Sequence, residues 1–187
     1  MGRIAVHEFS SLDGVVDAPI WTAEYGFDPK MGEAIGAVVS RSTAILLGRT
    51  TYEMFAPAWS VRTVDDDPGA PFFNDTHKYV VSSTLTEPGW GPATVLDYSP
   101  EAIRKLKDDV DGDIYVSGSA TLVRALLADG LVDELHLFVY PVAFGSGPRL
   151  FPTDGQATKL HLGGCEVYDN GVLHLTYTPA LVPASDG

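Results

Sequence analysis

Apolar positions follow two rhythms along this chain, a period of two and a period near 3.6, and their alternation predicts strands interleaved with helices. Residues 4–9 alternate and predict a first strand, closed by the turn-forming Ser-Ser-Leu-Asp-Gly at 10–14. Residues 15–28 read as an aromatic loop carrying Trp21, Tyr25 and Phe27. Met31, Ile35, Val38 and Val39 then share one stripe of a helix over 31–40. A short buried strand at 43–47 leads into a helix starting at 50–55. Three prolines and an acidic run at 65–67 make 56–74 an exposed loop. Strands follow at 78–82 and 94–96, with a helix from Ser99 as cap and Pro100 in its first turn to residue 108. A strand at 113–117 is followed by a helix over 119–128, whose apolar face is Leu122, Val123, Leu126 and Leu127 and which Gly130 stops. Residues 134–141 are apolar on both faces, which predicts a central strand. Finally, Asp169-Asn170-Gly171 separates two strands, at 165–168 and 172–177, as a hairpin turn would. The expected fold is therefore one α/β domain with a mixed, mostly parallel central sheet flanked by helices and a C-terminal antiparallel hairpin. It spans residues 1–179, with a disordered tail at 180–187.

Two strand-to-helix junctions stand out. In each, at 45–53 and at 114–122, an apolar run stops at a glycine, hydroxyl residues follow, and a helix begins. Such a start aims unpaired N–H groups and a positive dipole end at one spot, which suits a phosphate. In the first, Gly48 permits close approach, Arg49 offers a charge-assisted bond, and Thr50 or Thr51 caps the helix. In the second, Gly118, Ser119, Ala120 and Thr121 open the helix without a full dinucleotide fingerprint or a Walker lysine. Each junction also fits an ordinary connection with a capped helix. Ser82 and Ser83 end a strand between them and suit a ribose or its phosphate.

Composition narrows the classes. The chain has 187 residues, 45% hydrophobic and 20% charged, enough for one full core. A formal net charge of −13 argues against nucleic acid and anionic lipid as partners. No apolar run approaches a membrane span, and Glu8 interrupts what would be a signal peptide, so the chain reads as cytoplasmic. The single cysteine, Cys165, excludes an intrachain disulfide and is expected to pack on a strand. The five histidines show no ligand spacing, and no metal is assigned. Gly145-Ser146-Gly147 reads as a turn or bulge. Asp13, Asp17, Glu24, Asp28 and Glu33 gather around the aromatic loop and first helix, as solvated groups or as one that orients a substrate or relays a proton.

Six motifs in order resemble the dihydrofolate reductase superfold, specifically the reductase domain of the bifunctional riboflavin-biosynthesis deaminase-reductase and its free-standing relatives. They are Ser-Leu-Asp-Gly at 11–14, Leu-Gly-Arg-Thr-Thr-Tyr-Glu at 47–53, Lys-Tyr-Val-Val-Ser-Ser at 78–83, Val-Ser-Gly-Ser-Ala-Thr-Leu at 116–122, the run at 132–142, and Gly-Ser-Gly-Pro-Arg-Leu-Phe at 145–151. The resemblance implies NADPH as hydride donor and a small-molecule substrate with a pterin-like or pyrimidine-like ring. It places Gly48, Arg49, Thr50 and Thr51 on cofactor phosphate, Ser82 and Ser83 near the adenosine side, and Gly118, Ser119, Ala120 and Thr121 around the pyrophosphate. Asp13 and Gly14 would lie over the nicotinamide, with Trp21 toward the substrate, and Asp28 or Glu33 would be the acid of the first helix. A homodimer is implied, with the strand at 135–142 and the C-terminal hairpin as contributors. The zinc deaminase signature of the bifunctional enzyme is absent from this sequence, so deamination is not expected. The alternative is a non-catalytic nucleotide-binding protein that keeps the cradle.

Overall fold

The computed structural model describes residues 1–16, 19–151 and 157–180. Its centre is an eight-stranded sheet in the order β4-β3-β2-β5-β1-β6-β8-β7. The strands are β1 (Ile4–Ser11), β2 (Ser42–Gly48), β3 (His77–Val81), β4 (Ala93–Leu96), β5 (Asp113–Ser117), β6 (Glu134–Tyr140), β7 (Leu160–Val167) and β8 (Leu173–Pro179). Every neighbouring pair from β4 across to β6 is parallel, whereas β8 runs antiparallel to both β6 and β7. The mixed sheet with its C-terminal antiparallel pair is thus as the apolar rhythm predicts. The predicted tail lies, from residue 181 onward, outside the described residues.

The helices are α1 (Pro29–Arg41), α2 (Arg49–Trp59), α3 (Ala70–Asp75), α4 (Pro100–Asp109) and α5 (Ala120–Ala128), with a 3-10 helix over Pro19–Tyr25. One core lies between the sheet and α4/α5, where Ile103, Leu106, Val123 and Leu126 meet Ile4, Val6, Leu46 and Val116. On the opposite face, Val38 of α1, Tyr52 of α2 and Phe73 of α3 meet Ala5, Ile45, Val80 and Tyr115. A third cluster joins Met31 to Phe138, Tyr140 and Tyr168. Both faces are covered, so central β1 is buried along nearly its whole length.

Three expectations change. Residues 56–74 are not all loop, because α2 continues through Pro57 to Trp59 and α3 follows. Pro57 leaves Glu53 O without its intrahelical donor, but only two helical residues follow it. Trp59 also stacks on Phe73 at 4.0 Å between centroids, a tertiary contact that no local pattern announces. The aromatic loop contains a 3-10 turn. Cys165 is on a strand as expected, but β7 is the sheet edge and the thiol is exposed.

Candidate active-site cleft

The C-terminal ends of parallel strands leave a crevice where loops and helix starts converge. Here the ends of β1, β2 and β5 open onto a cleft of about 410 Å³, lined by residues that include Glu8, Phe9, Thr51, Met54, Phe55, Gly118, Ser119, Thr121 and Arg124. The two glycine junctions interlock at its back. A Cβ on Gly48 would run into the Ser119 hydroxyl, and one on Gly118, at φ +69°, would stand 3.0 Å from Thr51 Oγ1. Only glycine fits at either position without displacing the other junction.

The four longer helices divide by how their first turns are satisfied. Asp28 caps α1 by accepting from Lys30 N, and Ser99 caps α4 by accepting from Ala102 N. The starts of α2 and α5, at Gly48 and Ser119, carry no side-chain cap. These two uncapped starts are the ones that meet at the cleft, so their first-turn N–H groups remain open to an anion. Thr50 and Thr51 therefore lie inside the first turn of α2 and do not cap it, contrary to the sequence expectation.

Glu8 sets the chemistry of the cleft wall. Ile4 and Val6 enter the core beneath α4 and α5, and the two-residue period sends Glu8 to the same side. Its side chain is 7% exposed, and Oε1 has no hydrogen-bond partner. Burial pushes the carboxyl up from 4.5 to about 8, against which the Gly118 N–H gives a partial pull downward. At neutral pH this group is a neutral carboxylic acid.

The sequence profile of the RibD C-terminal domain matches residues 3–174. The chain belongs to that family. It is 27% identical over 179 residues to the uncharacterized protein YyaP of Bacillus subtilis, with 94% of each chain aligned. A Shewanella sp. PV-4 protein assigned to riboflavin biosynthesis superposes with a TM-score of 0.76 at 20% identity, over 96% of this chain and 99% of its own. Dihydrofolate reductase from Enterococcus faecalis, solved with NADP(H), gives 0.61 at 16% identity over 95% and 96%. At those identities the likeness to solved structures is one of fold, and the fold is the dihydrofolate reductase-like one.

This RibD C-terminal domain gathers Gly48, Thr50, Thr51, Gly118, Ser119, Ala120 and Thr121 in one place. Arg49 sits outside the cleft, where Nε donates to Glu53 Oε1 at 2.7 Å and Nη1 to Thr84 Oγ1 at 2.5 Å. Ser82 Oγ accepts from Leu85 N at 2.9 Å and so closes the turn after β3, while Ser83 is exposed beside it.

Other predicted residues go elsewhere. Asp13 accepts from Ser11 Oγ at 2.6 Å and from the backbone of Phe144 and Gly145, and it pairs with Arg149. Those bonds, the Ser11 hydroxyl first, hold its pKa down at about 2. It clamps the Ser11–Gly14 turn to the loop before Arg149, leaving little of it for a substrate. Gly14 adopts φ +85° in that turn, and its carbonyl accepts from Leu150 N. Trp21 packs edge-on against Tyr140 and Phe144, at 5.2 Å each, away from the cleft wall. Asp28 is occupied as the cap of α1 and accepts from Asp169 N at 3.1 Å, and Glu33 is exposed on α1. Neither lines the cleft, whose one carboxyl among the described residues is Glu8. Asp17 lies outside the described residues. The sequence gives Glu8 no distinguishing mark, since one acid in an alternating strand reads as a solvent position.

The opposite face of β1 carries a feature that sequence spacing hides. His7, His136 and His174 come together from three strands, with His136 Nδ1 3.0 Å from His174 Nε2 and His174 stacked on Phe138 at 4.4 Å. His7 Nδ1 meets the Tyr115 hydroxyl at 2.9 Å. Burial, reinforced by the two other imidazoles, lowers His7 from 6.5 to about 3. No group of three His, Cys, Asp or Glu among the described residues is arranged to hold a metal ion. A larger cavity of about 670 Å³, beside Leu127, Leu150 and Leu160, has no carboxyl and no helix start among the described residues that line it. Of the two, the smaller cleft has the convergent polar groups expected of a site.

Proposed function

We propose that this chain is an NADPH-dependent reductase that transfers a hydride to a small pterin-like or pyrimidine-like heterocycle. The observation that carries this reading is the convergence of two uncapped helix starts, locked together by Gly48 and Gly118, at the back of an apolar cleft. First-turn N–H groups around Thr50, Thr51, Ala120 and Thr121 would hold cofactor phosphates, for which a cradle without side-chain caps is suited. Arg49, beside Thr84 and Ser82, is exposed at the outer end, where an added ribose phosphate would meet a guanidinium. That arrangement favours NADPH over NADH. The cofactor would supply the hydride, and the protein would align the reactants and exclude water. Phe9, Val16, Met54 and Phe55 provide the apolar wall for that purpose.

Titration with NADPH, followed by tryptophan fluorescence or melting temperature, tests the reading. A saturable shift is expected, and none at millimolar cofactor rejects it. Arg49→Ala should weaken NADPH binding by about 1.5–3 kcal/mol and leave NADH binding nearly unchanged. Equal loss for both cofactors removes Arg49 from the phosphate site. We also propose a two-fold dimer through the free edge of β7, where Leu162 and Val167 are exposed. β6 is interior to the sheet and is not available as an edge. Light scattering that returns 20.0 kDa in solution rejects the dimer.

A further inference from the structure

We propose that Glu8 is the proton donor of this cleft, delivering the proton that accompanies hydride transfer to the substrate. The role rests on the reductase reading above and assigns it a catalytic residue. Three observations carry it. Glu8 is the only carboxyl on the cleft wall among the described residues. Oε1 is buried without a hydrogen-bond partner, a costly state for a carboxylate and an easier one for a carboxylic acid. Glu8 and Gly118 line the same cleft, so the acid stands beside the cradle itself.

Among the described residues no cation is paired with it. Arg124, the one basic residue of the cleft lining, donates through Nε to Ala120 O at 3.2 Å. Arg49 is paired with Glu53, Arg149 with Asp13, and His7 faces the other side of the sheet. Tyr115 of β5 is also on that other side, with its hydroxyl on His7. Among the described residues the Gly118 N–H alone favours its ionised form, and burial outweighs it.

The reaction balances with this one acid. A substrate carbon of a C=N or C=O bond receives hydride from the cofactor, forming the new C–H bond. The π electron pair moves to the heteroatom, the O–H bond of Glu8 breaks, and its proton forms the N–H or O–H bond. The substrate gains two electrons, the cofactor loses two, and Glu8 is left as a carboxylate that recovers its proton from water. The matching substrate is a neutral imine or carbonyl, because a pre-protonated imine already carries the proton and becomes a neutral amine on hydride transfer alone.

The test uses the full chain, isotope-labelled at its glutamate carboxyl carbons. The Glu8 NMR resonance is assigned by its loss in Glu8→Gln. A midpoint near 8 is expected, together with displacement of the resonance on saturation with NADP+. NADPH oxidation is then measured with dihydrofolate, the ribosylamino-pyrimidinedione of riboflavin synthesis, and menadione. With any acceptor that turns over, Glu8→Gln should lose about 100-fold or more in kcat while its NADPH affinity stays unchanged. Wild-type kcat should fall as pH rises through the same midpoint. An ordinary carboxylate midpoint overturns the role, as does an unchanged kcat in Glu8→Gln. A Glu8 resonance indifferent to bound NADP+ overturns the role alone, even if no acceptor turns over. Absence of any NADPH binding overturns the reductase reading and the role with it.

Discussion

Glu8 and His7 are adjacent on one strand, both buried and both ionisable, yet they face different surroundings. Glu8 borders a cleft and keeps an oxygen without a partner. His7 also keeps one buried atom without a partner, Nε2, but it is packed edge-on against Phe9 and Phe138, at 4.6 and 5.2 Å, with Tyr115 on its Nδ1. Both are pushed toward their neutral forms by burial, in opposite directions on the pH scale. Perturbed ionisation alone therefore does not mark a site. What separates the two is empty space beside one and a packed aromatic layer beside the other.

The largest test of that contrast removes the aromatic layer. Phe138→Ala should destabilise the fold by about 3–5 kcal/mol in denaturant unfolding, because it opens a cavity against His7, His174 and Phe9. A loss below about 1 kcal/mol would mean that the layer is not tightly packed.

A second test uses linkage. Below pH 6.5 the unfolded chain takes up a proton at His7 that the folded chain refuses until about 3, so stability falls as pH falls through that window. His174, lowered chiefly by burial, acts in the same sense. Above pH 4.5 the unfolded chain gives up the Glu8 proton that the folded chain keeps until about 8, so stability falls as pH rises there. The two slopes oppose one another where the windows overlap. Each reaches about 1.4 kcal/mol per pH unit at most. Glu8→Gln should expose the rising histidine limb, and His7→Gln the falling glutamate limb. Parallel stability profiles for wild type and both variants would break the contrast.

The smallest effect is expected at Met54 on the open cleft wall, 42% exposed. Met54→Ala should change stability by less than about 0.5 kcal/mol. A cost comparable to that of Phe138→Ala would mean that the cleft is packed shut.

Much of the fold was legible because most elements combine a clear apolar period with local start and stop signals. Ser99 and Pro100 announced α4, and Asn170-Gly171 announced the hairpin. The second half of α2 and all of α3 escaped, because a proline and an acidic run outweigh local pattern until Trp59 finds Phe73. In the candidate site, the glycines and hydroxyls of both junctions were legible as strand ends meeting helix starts. Glu8 was not, since its meaning depends on β5 lying alongside and on Gly118 reaching across. The acids expected on or near the first helix went to capping, in the case of Asp28, and to solvent, in the case of Glu33.

The interlocked glycines also bear on how the chain assembles. Gly48 and Ser119 touch across β2 and β5, strands far apart in sequence whose pairing requires a long loop to close. A chain that has folded only its first half, or only its second, holds half a cradle. Nucleotide capture would then begin only once β2 and β5 have paired, and a bound nucleotide would act as a clasp between distant segments. At one hundred times its dissociation constant, such a clasp adds about 2.7 kcal/mol against global unfolding. Cofactor supply would thereby regulate how long the folded protein persists, in addition to how fast it works.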